Sequence, residues 1–199
     1  MLSCSLLHAE EVAETTTMEA TIEVRAAAFY HTSDKYRNYY KSLDPSYEVE
    51  FSFSCDPCCY AWWGNLAWFN SKKEVAGNNC KSHLTACSCT TFVTPTTKIS
   101  VANFSFGIKF PYYFSDCLVG YFGVGPVIGN VWFENNSNRG TRRTSKVAYG
   151  AIAKLGIDYY ITQCVFLDLF VDYLYETVHH GRHYDIGGVK TGLGIGLRF

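Results

Sequence analysis

The last sixteen residues, 184–199 (YDIGGVKTGLGIGLRF), constrain the fold more than any other stretch of the chain. Counting back from Phe199, one side carries Phe199, Leu197, Ile195, Leu193, Thr191 and Val189. The other carries Arg198, Gly196, Gly194, Gly192, Lys190 and Gly188. A period of two predicts a strand. In a soluble barrel the apolar side would be the filled interior. Here glycines and cations lie opposite it, which fits a strand with its apolar side against lipid and its polar side in a crowded lumen.

Seven further runs alternate in the same way. Run 21–30 sets Ile22, Val24, Ala26, Ala28 and Tyr30 against Glu23, Arg25 and Ala27, and run 47–53 sets Tyr47, Val49, Phe51 and Phe53 against Glu48, Glu50 and Ser52. Run 59–69 contains WWGNLAWF, whose four aromatics leave its facing ambiguous. Run 99–112 points Phe104, Phe106, Ile108 and Phe110 away from Asn103, Ser105, Gly107 and Lys109. In run 118–133, Phe122, Val124, Ile128 and Trp132 oppose Gly123, Gly125 and Gly129, and Pro126 predicts a bulge or a local break in the ladder. Run 146–161 opposes Val147, Tyr149, Leu155 and Ile157 to Lys146, Gly150, Lys154 and Asp158; run 165–177 opposes Leu167, Leu169, Val171 and Tyr173 to Asp168, Asp172 and Glu176.

Connections supply an independent pattern. Short ones fall at 54–58, 114–117 and 162–164, and long ones at 31–46, 70–98, 134–145 and 178–183. Strict alternation of short and long predicts an even strand number, with both ends of the barrel chain on the short-turn side. Tyr112, Tyr113 and Phe199 then mark one interfacial girdle, and Trp132, Phe133 and Tyr175 the other.

Composition agrees. The chain has 15 Tyr, 14 Phe and 4 Trp but only 18% charged residues, below the roughly 25% of soluble domains. Mean hydropathy is nonetheless only −0.04. No run of about 18 apolar residues exists, so a membrane helix is excluded and membrane strands are not. A net charge of −1, with no basic block beyond Arg139, Arg142 and Arg143, gives no reason to expect nucleic acid as a partner. Nine cysteines, at 4, 55, 58, 59, 80, 87, 89, 117 and 164, without an obvious metal motif, predict an oxidising compartment.

The expected organisation is a partial export signal with a cut after Ala9 and a periplasmic lead over residues 1–20, followed by one barrel domain over 21–199. The expected fold class is all-β, an eight-stranded antiparallel transmembrane β-barrel.

Eight alternating runs, glycine-rich inner faces, short turns on one rim and a terminal Phe199 together resemble the small bacterial outer-membrane barrels of the OmpA-like and OmpX-like families. The resemblance implies an outer-membrane protein with a structural or adhesive role, with membrane lipid and the barrel assembly machinery as partners and Phe199 as the assembly signal. The cysteine density resembles the disulfide-linked envelopes of chlamydia-like bacteria, implying disulfide-linked envelope partners. Alternative roles are a lipid A acylating or deacylating enzyme and a narrow pore.

The candidate site is a lumen charge network of Glu23, Arg25, Glu48, Glu50, Lys109, Lys154, Asp158, Asp168, Asp172, Glu176, Lys190 and Arg198. Mixed signs inside so narrow a barrel predict mutual pairing, because an isolated buried ion costs several kcal/mol. His31 and Ser33 form the one His-x-Ser pair that a hydrolase would need, without an evident carboxylate to orient the histidine. HHGRH (179–183) has no carboxylate or cysteine at zinc-ligand spacing beside it, so a polar loop is expected there; Cys80, His83, Cys87 and Cys89 look superficially like a zinc knuckle, but an oxidising exterior makes a loop disulfide the expectation. No cofactor and no metal is expected.

Overall fold

Strands with one apolar and one charged face can hide the charged faces together only by curling into a closed ring. The computed structural model describes residues 18–34, 37, 42–55, 59–74, 96–137, 140–179 and 183–199. The strands are β1 (Met18–His31), β2 (Leu43–Cys55), β3 (Ala61–Glu74), β4 (Thr96–Ser115), β5 (Leu118–Ser137), β6 (Gly140–Tyr160), β7 (Val165–His179), β8 (His183–Asp185) and β9 (Gly188–Arg198). Each pairs antiparallel with the next, except that β8 and β9 both lie along β7 in one register and together form the eighth stave. The break between them is held where Ile186 N donates to Glu176 O. β9 then closes onto β1, so the ring has no open edge.

Closure carries a stagger. From Ala20, paired partners lead through Phe53, Trp62, Ile108, Val124, Ala153, Tyr173 and Val189 back to β1 at Tyr30, ten residues on. Ten residues over eight staves corresponds to a strand tilt of about 43°. A barrel of that size has an interior that side chains fill.

The molecule is inside out. Val24, Phe51, Leu66, Phe104, Ile128, Leu155, Leu169, Leu193 and Ile195 all face outward and are exposed, while charged residues are buried within. So continuous an apolar belt is far beyond what a soluble monomer exposes. It is bounded by Phe53, Tyr112, Phe114, Tyr159 and Phe199 at the short-turn rim and by Tyr30, Tyr149, Tyr175 and Trp132 toward the other, as interfacial aromatics demand. Phe133 departs from the expected girdle, because its parity turns it inward to pack against the core.

Several boundaries differ from the alternation. The ladder of β1 begins at Met18, inside the expected periplasmic lead, and β2 begins at Leu43. The expected long loop 134–145 is mostly ladder, since β5 and β6 pair from Leu118↔Tyr159 out to Ser137↔Gly140. Beyond the bilayer both strand faces meet water, so no hydrophobic alternation marks this part as a strand. At Pro126 the β4–β5 pairing lapses opposite Phe106 and Gly107 and resumes without a register shift, a break rather than a bulge. Gly107 and Gly125 permit the close approach there: a Cβ on Gly125 would stand 1.9 Å from Phe106 O.

Candidate functional site

Parity decides what enters the lumen, and the inward positions sort by height. Toward the short-turn rim they are charged. Arg25, 1% exposed, is the hub: Nε donates to Glu23 at 2.7 Å, and the two terminal nitrogens reach Glu50 at 2.9 Å and Asp168 at 2.8 Å. Its guanidinium also donates to Tyr121 Oη at 2.8 Å, whose hydroxyl in turn donates to Asp168, and lies 4.6 Å from the centre of the Phe170 ring. Glu50 further takes Lys109 at 2.6 Å and Lys154 at 2.5 Å, and Lys154 reaches Asp172 at 3.3 Å. Lys190 pairs with Glu48, whose second oxygen accepts from Asn65 Nδ2 at 2.9 Å. Asp158 lies at the mouth with Lys109 and Tyr121.

Two predicted members stand apart. Arg198 is only partly buried and pairs with Glu19 on the rim at 2.6 Å. Glu176 is fully buried but sits higher, where Asn103 Nδ2 donates to it at 2.8 Å. Buried carboxylates Glu23, Glu48, Glu50, Asp158, Asp168, Asp172 and Glu176 outnumber the cations Arg25, Lys109, Lys154 and Lys190. Each of Arg25 and Lys154 therefore serves more than one carboxylate.

Above this tier the lumen is mainly apolar, with the buried His31 and Asp44 set beside its rings. Phe29, Phe69, Ile99, Val101, Val131, Val178 and Ile186 form one buried cluster, with Phe29 and Phe69 edge to face at 4.8 Å. It fills the barrel on the side of the long connections. The alternation misses this tier because apolar residues here take the inward side that is charged lower down, and polar residues such as Lys98, Ser100 and Thr177 alternate with them. It also misses Tyr121 and Asn65, polar residues whose partners lie elsewhere in the sequence; it turns Asn103 inward but does not show its partner Glu176.

Glycines make room for the bulky members. A Cβ at Gly194 would fall 1.9 Å from Glu23 Oε1, and one at Gly196 would fall 2.1 Å from the Phe166 ring. The glycine face of β9 is thus the complement of the side chains packed against it.

His31 corrects the sequence reading in detail. A carboxylate does orient it: Nε2 lies 3.2 Å from Asp44 Oδ2, and Nδ1 lies 3.3 Å from Ile186 O. The ring is nonetheless fully buried in the lumen. Its two nitrogens are directed at Ile186 O and Asp44, and not at Ser33.

Cys59, Cys117 and Cys164 are exposed free thiols, one at each of the three short turns. No group of three or more His, Cys, Asp or Glu among the described residues is arranged to hold a metal. The export signal, Cys4, Cys58, Cys80, His83, Cys87, Cys89, Arg139 and His180 lie outside the described residues.

No protein-family model matches the chain, and no curated protein does. Solved structures do. The attachment invasion locus protein Ail of Yersinia pestis, solved with the heparin analogue sucrose octasulfate, is 15% identical with a TM-score of 0.60, covering 92% of this chain and 99% of that one. The outer-membrane protein OprG of Pseudomonas aeruginosa is 12% identical with a TM-score of 0.62, covering 92% and 97%. Neisserial surface protein A is 9% identical with a TM-score of 0.55, covering 94% and 100%. The fold is that of the small outer-membrane β-barrels. A closed ring with a lipid-facing belt and that fold puts the protein in a bacterial outer membrane. Its short-turn rim therefore faces the periplasm and its long connections face outward.

Proposed function

We propose that the barrel is an adhesive envelope protein whose outer arm binds polyanionic surfaces. The carrying observation is the arm itself. β5 and β6 run 20 and 21 residues, about twice the 9–11 that cross a bilayer, and β3 and β4 rise beside them. Across the top of this arm, one outward row runs Lys72, Lys98, Glu134, Arg143 through successive paired strands. On the inward side, Arg142 and Lys146 line a shallow hollow with Thr97, Asn135 and Thr144. Against these five cations the two rows carry one carboxylate, Glu134, which Arg143 already meets at 3.5 Å. The surplus positive charge attracts sulfate or phosphate groups, and hydroxyl and amide groups beside it supply neutral hydrogen bonds. Ail having been solved with a heparin analogue supports the reading by analogy of fold.

Binding of the purified, refolded barrel to immobilised heparin tests it. Retention that falls with rising salt, and that falls at least tenfold in R142E/R143E with heat-modifiable gel mobility intact, is the expected result. Equal retention of both proteins would remove the arm from the mechanism.

A further inference from the structure

Each periplasmic turn carries an exposed thiol: Cys59 between β2 and β3, Cys117 between β4 and β5, and Cys164 between β6 and β7. Backbone hydrogen bonds hold two of them to the ring. Cys117 O accepts from Tyr160 N at 2.9 Å, and Cys164 O accepts from Arg198 N at 2.8 Å. Each is thereby tied toward the next stave, with β6 between them. Two strand spacings are about 10 Å, whereas a disulfide spans Cα atoms about 4.4–6.8 Å apart. Cys117 and Cys164 cannot bridge each other, and no other cysteine shares either turn.

The turn between β2 and β3 holds three cysteines, Cys55, Cys58 and Cys59. Three is odd, so one thiol remains there even if two pair. Cys59, at the foot of β3, is again two staves from Cys117.

An exposed thiol in the periplasm does not persist against a disulfide-donating oxidase. With no partner in reach among the described residues, it pairs outward. We propose that the periplasmic rim is a covalent attachment ring, through which Cys117 and Cys164, with one thiol of the first turn, form disulfides to a cysteine-bearing polypeptide in the periplasm. The chemistry balances by exchange. A thiolate of the partner or of the rim attacks the oxidase disulfide, forming a mixed disulfide and releasing one oxidase thiolate. The second thiolate attacks the protein-side sulfur of that mixed disulfide, forming the intermolecular S–S bond and expelling the other oxidase thiolate. Two protons pass from the joined thiols to the oxidase, which leaves as the dithiol.

A periplasmic partner suits the surface better than a second barrel. Tyr112, Phe114 and Phe199 are all exposed around this rim and occupy the lipid interface beside the turns. They hold a neighbouring barrel off laterally while leaving the space below the rim open.

The test uses native outer membranes alkylated with a maleimide before lysis. On non-reducing gels the protein should run in a higher-mass species that collapses to the monomer on reduction. Peptide mass spectrometry should find Cys117 and Cys164 joined to peptides of another polypeptide. The triple variant C59S/C117S/C164S should lose that species, apart from any bridge through Cys55 or Cys58, while keeping heat-modifiable mobility. Any of four results overturns the proposal: Cys117 and Cys164 alkylated as free thiols in the wild type, linkage to a second copy only, capping by small thiols only, or a Cys117 or Cys164 peptide bridged within the chain. The wild-type readings need no variant to fold.

Discussion

Arg25 is the residue on which the lower lumen depends. Its guanidinium is the nearest cation to Glu23 and Asp168 and shares Glu50 with two lysines. Removing it strands buried carboxylates, so R25A should lose about 3–5 kcal/mol of unfolding free energy. Lys190→Met should lose less, because Glu48 retains the Asn65 amide. Urea unfolding in detergent micelles measures both, and equal losses would mean that Arg25 is no hub. The identity of the charged residues was legible in the alternation, since a charge on the face opposite lipid has nowhere else to go. Their partners were not. Tyr121 joins Arg25 across 96 residues of sequence and Asp168 across 47, and only the closed register brings them together. Arg198 reads like the others by parity, yet it lies near the end of its strand, where water and Glu19 are within reach.

At the level of single strands, β9 was the most readable because glycine and cation on one face contrast sharply with Leu and Ile on the other. β3 was the least readable. Trp62, Leu66 and Trp68 face lipid while Trp63 and Phe69 face the lumen, so aromatics occupy both sides. What fixes its facing is Asn65, which must turn inward to donate to Glu48. The outer ends of β5 and β6 were read as loop for the opposite reason, having polar residues on both faces. β9 also carries the sharpest expectation about assembly. It pairs with β1 from Thr21↔Arg198 to His31↔Gly188, and Phe199 continues the pairing by exchanging two backbone hydrogen bonds with Ala20. An unsatisfied backbone group in lipid costs several kcal/mol. Deleting Phe199, or Ile195→Asp on the lipid face, should therefore abolish heat-modifiable barrel formation; normal folding of both would count against β9 as the closing element. Charge placement gives a quantitative companion. Leu169→Lys on the belt should cost about 2–4 kcal/mol near the midplane, and Asn135→Lys on the outer arm should change stability by less than about 0.5 kcal/mol. Equal costs would mean that the arm does not leave the bilayer.

Across the whole molecule, the two tiers of the lumen decide whether the barrel can conduct. An ion needs a hydrated path, and among the described residues side chains pack across the interior at two levels. The lower tier ties Arg25, Glu50, Lys154 and Asp172 across facing staves. The upper tier packs Phe29, Phe69, Ile99, Val101, Val131, Val178 and Ile186 with essentially no exposed surface. Two closures in series make single openings ineffective. F29A/F69A removes two rings from the upper tier but leaves the ionic lattice below, so it should lose about 3–5 kcal/mol per ring and still pass no current. The triple change F29A/F69A/R25A removes the hub as well, and is the combination expected to admit water if the barrel still forms. In planar bilayers, the wild type and the double variant should show no discrete conductance steps. Regular steps from the wild type would show that the packed interior rearranges, and would put the pore ahead of the adhesive reading. A silent wild type leaves function to the two rims, where cations crown the outer arm and thiols ring the periplasmic turns.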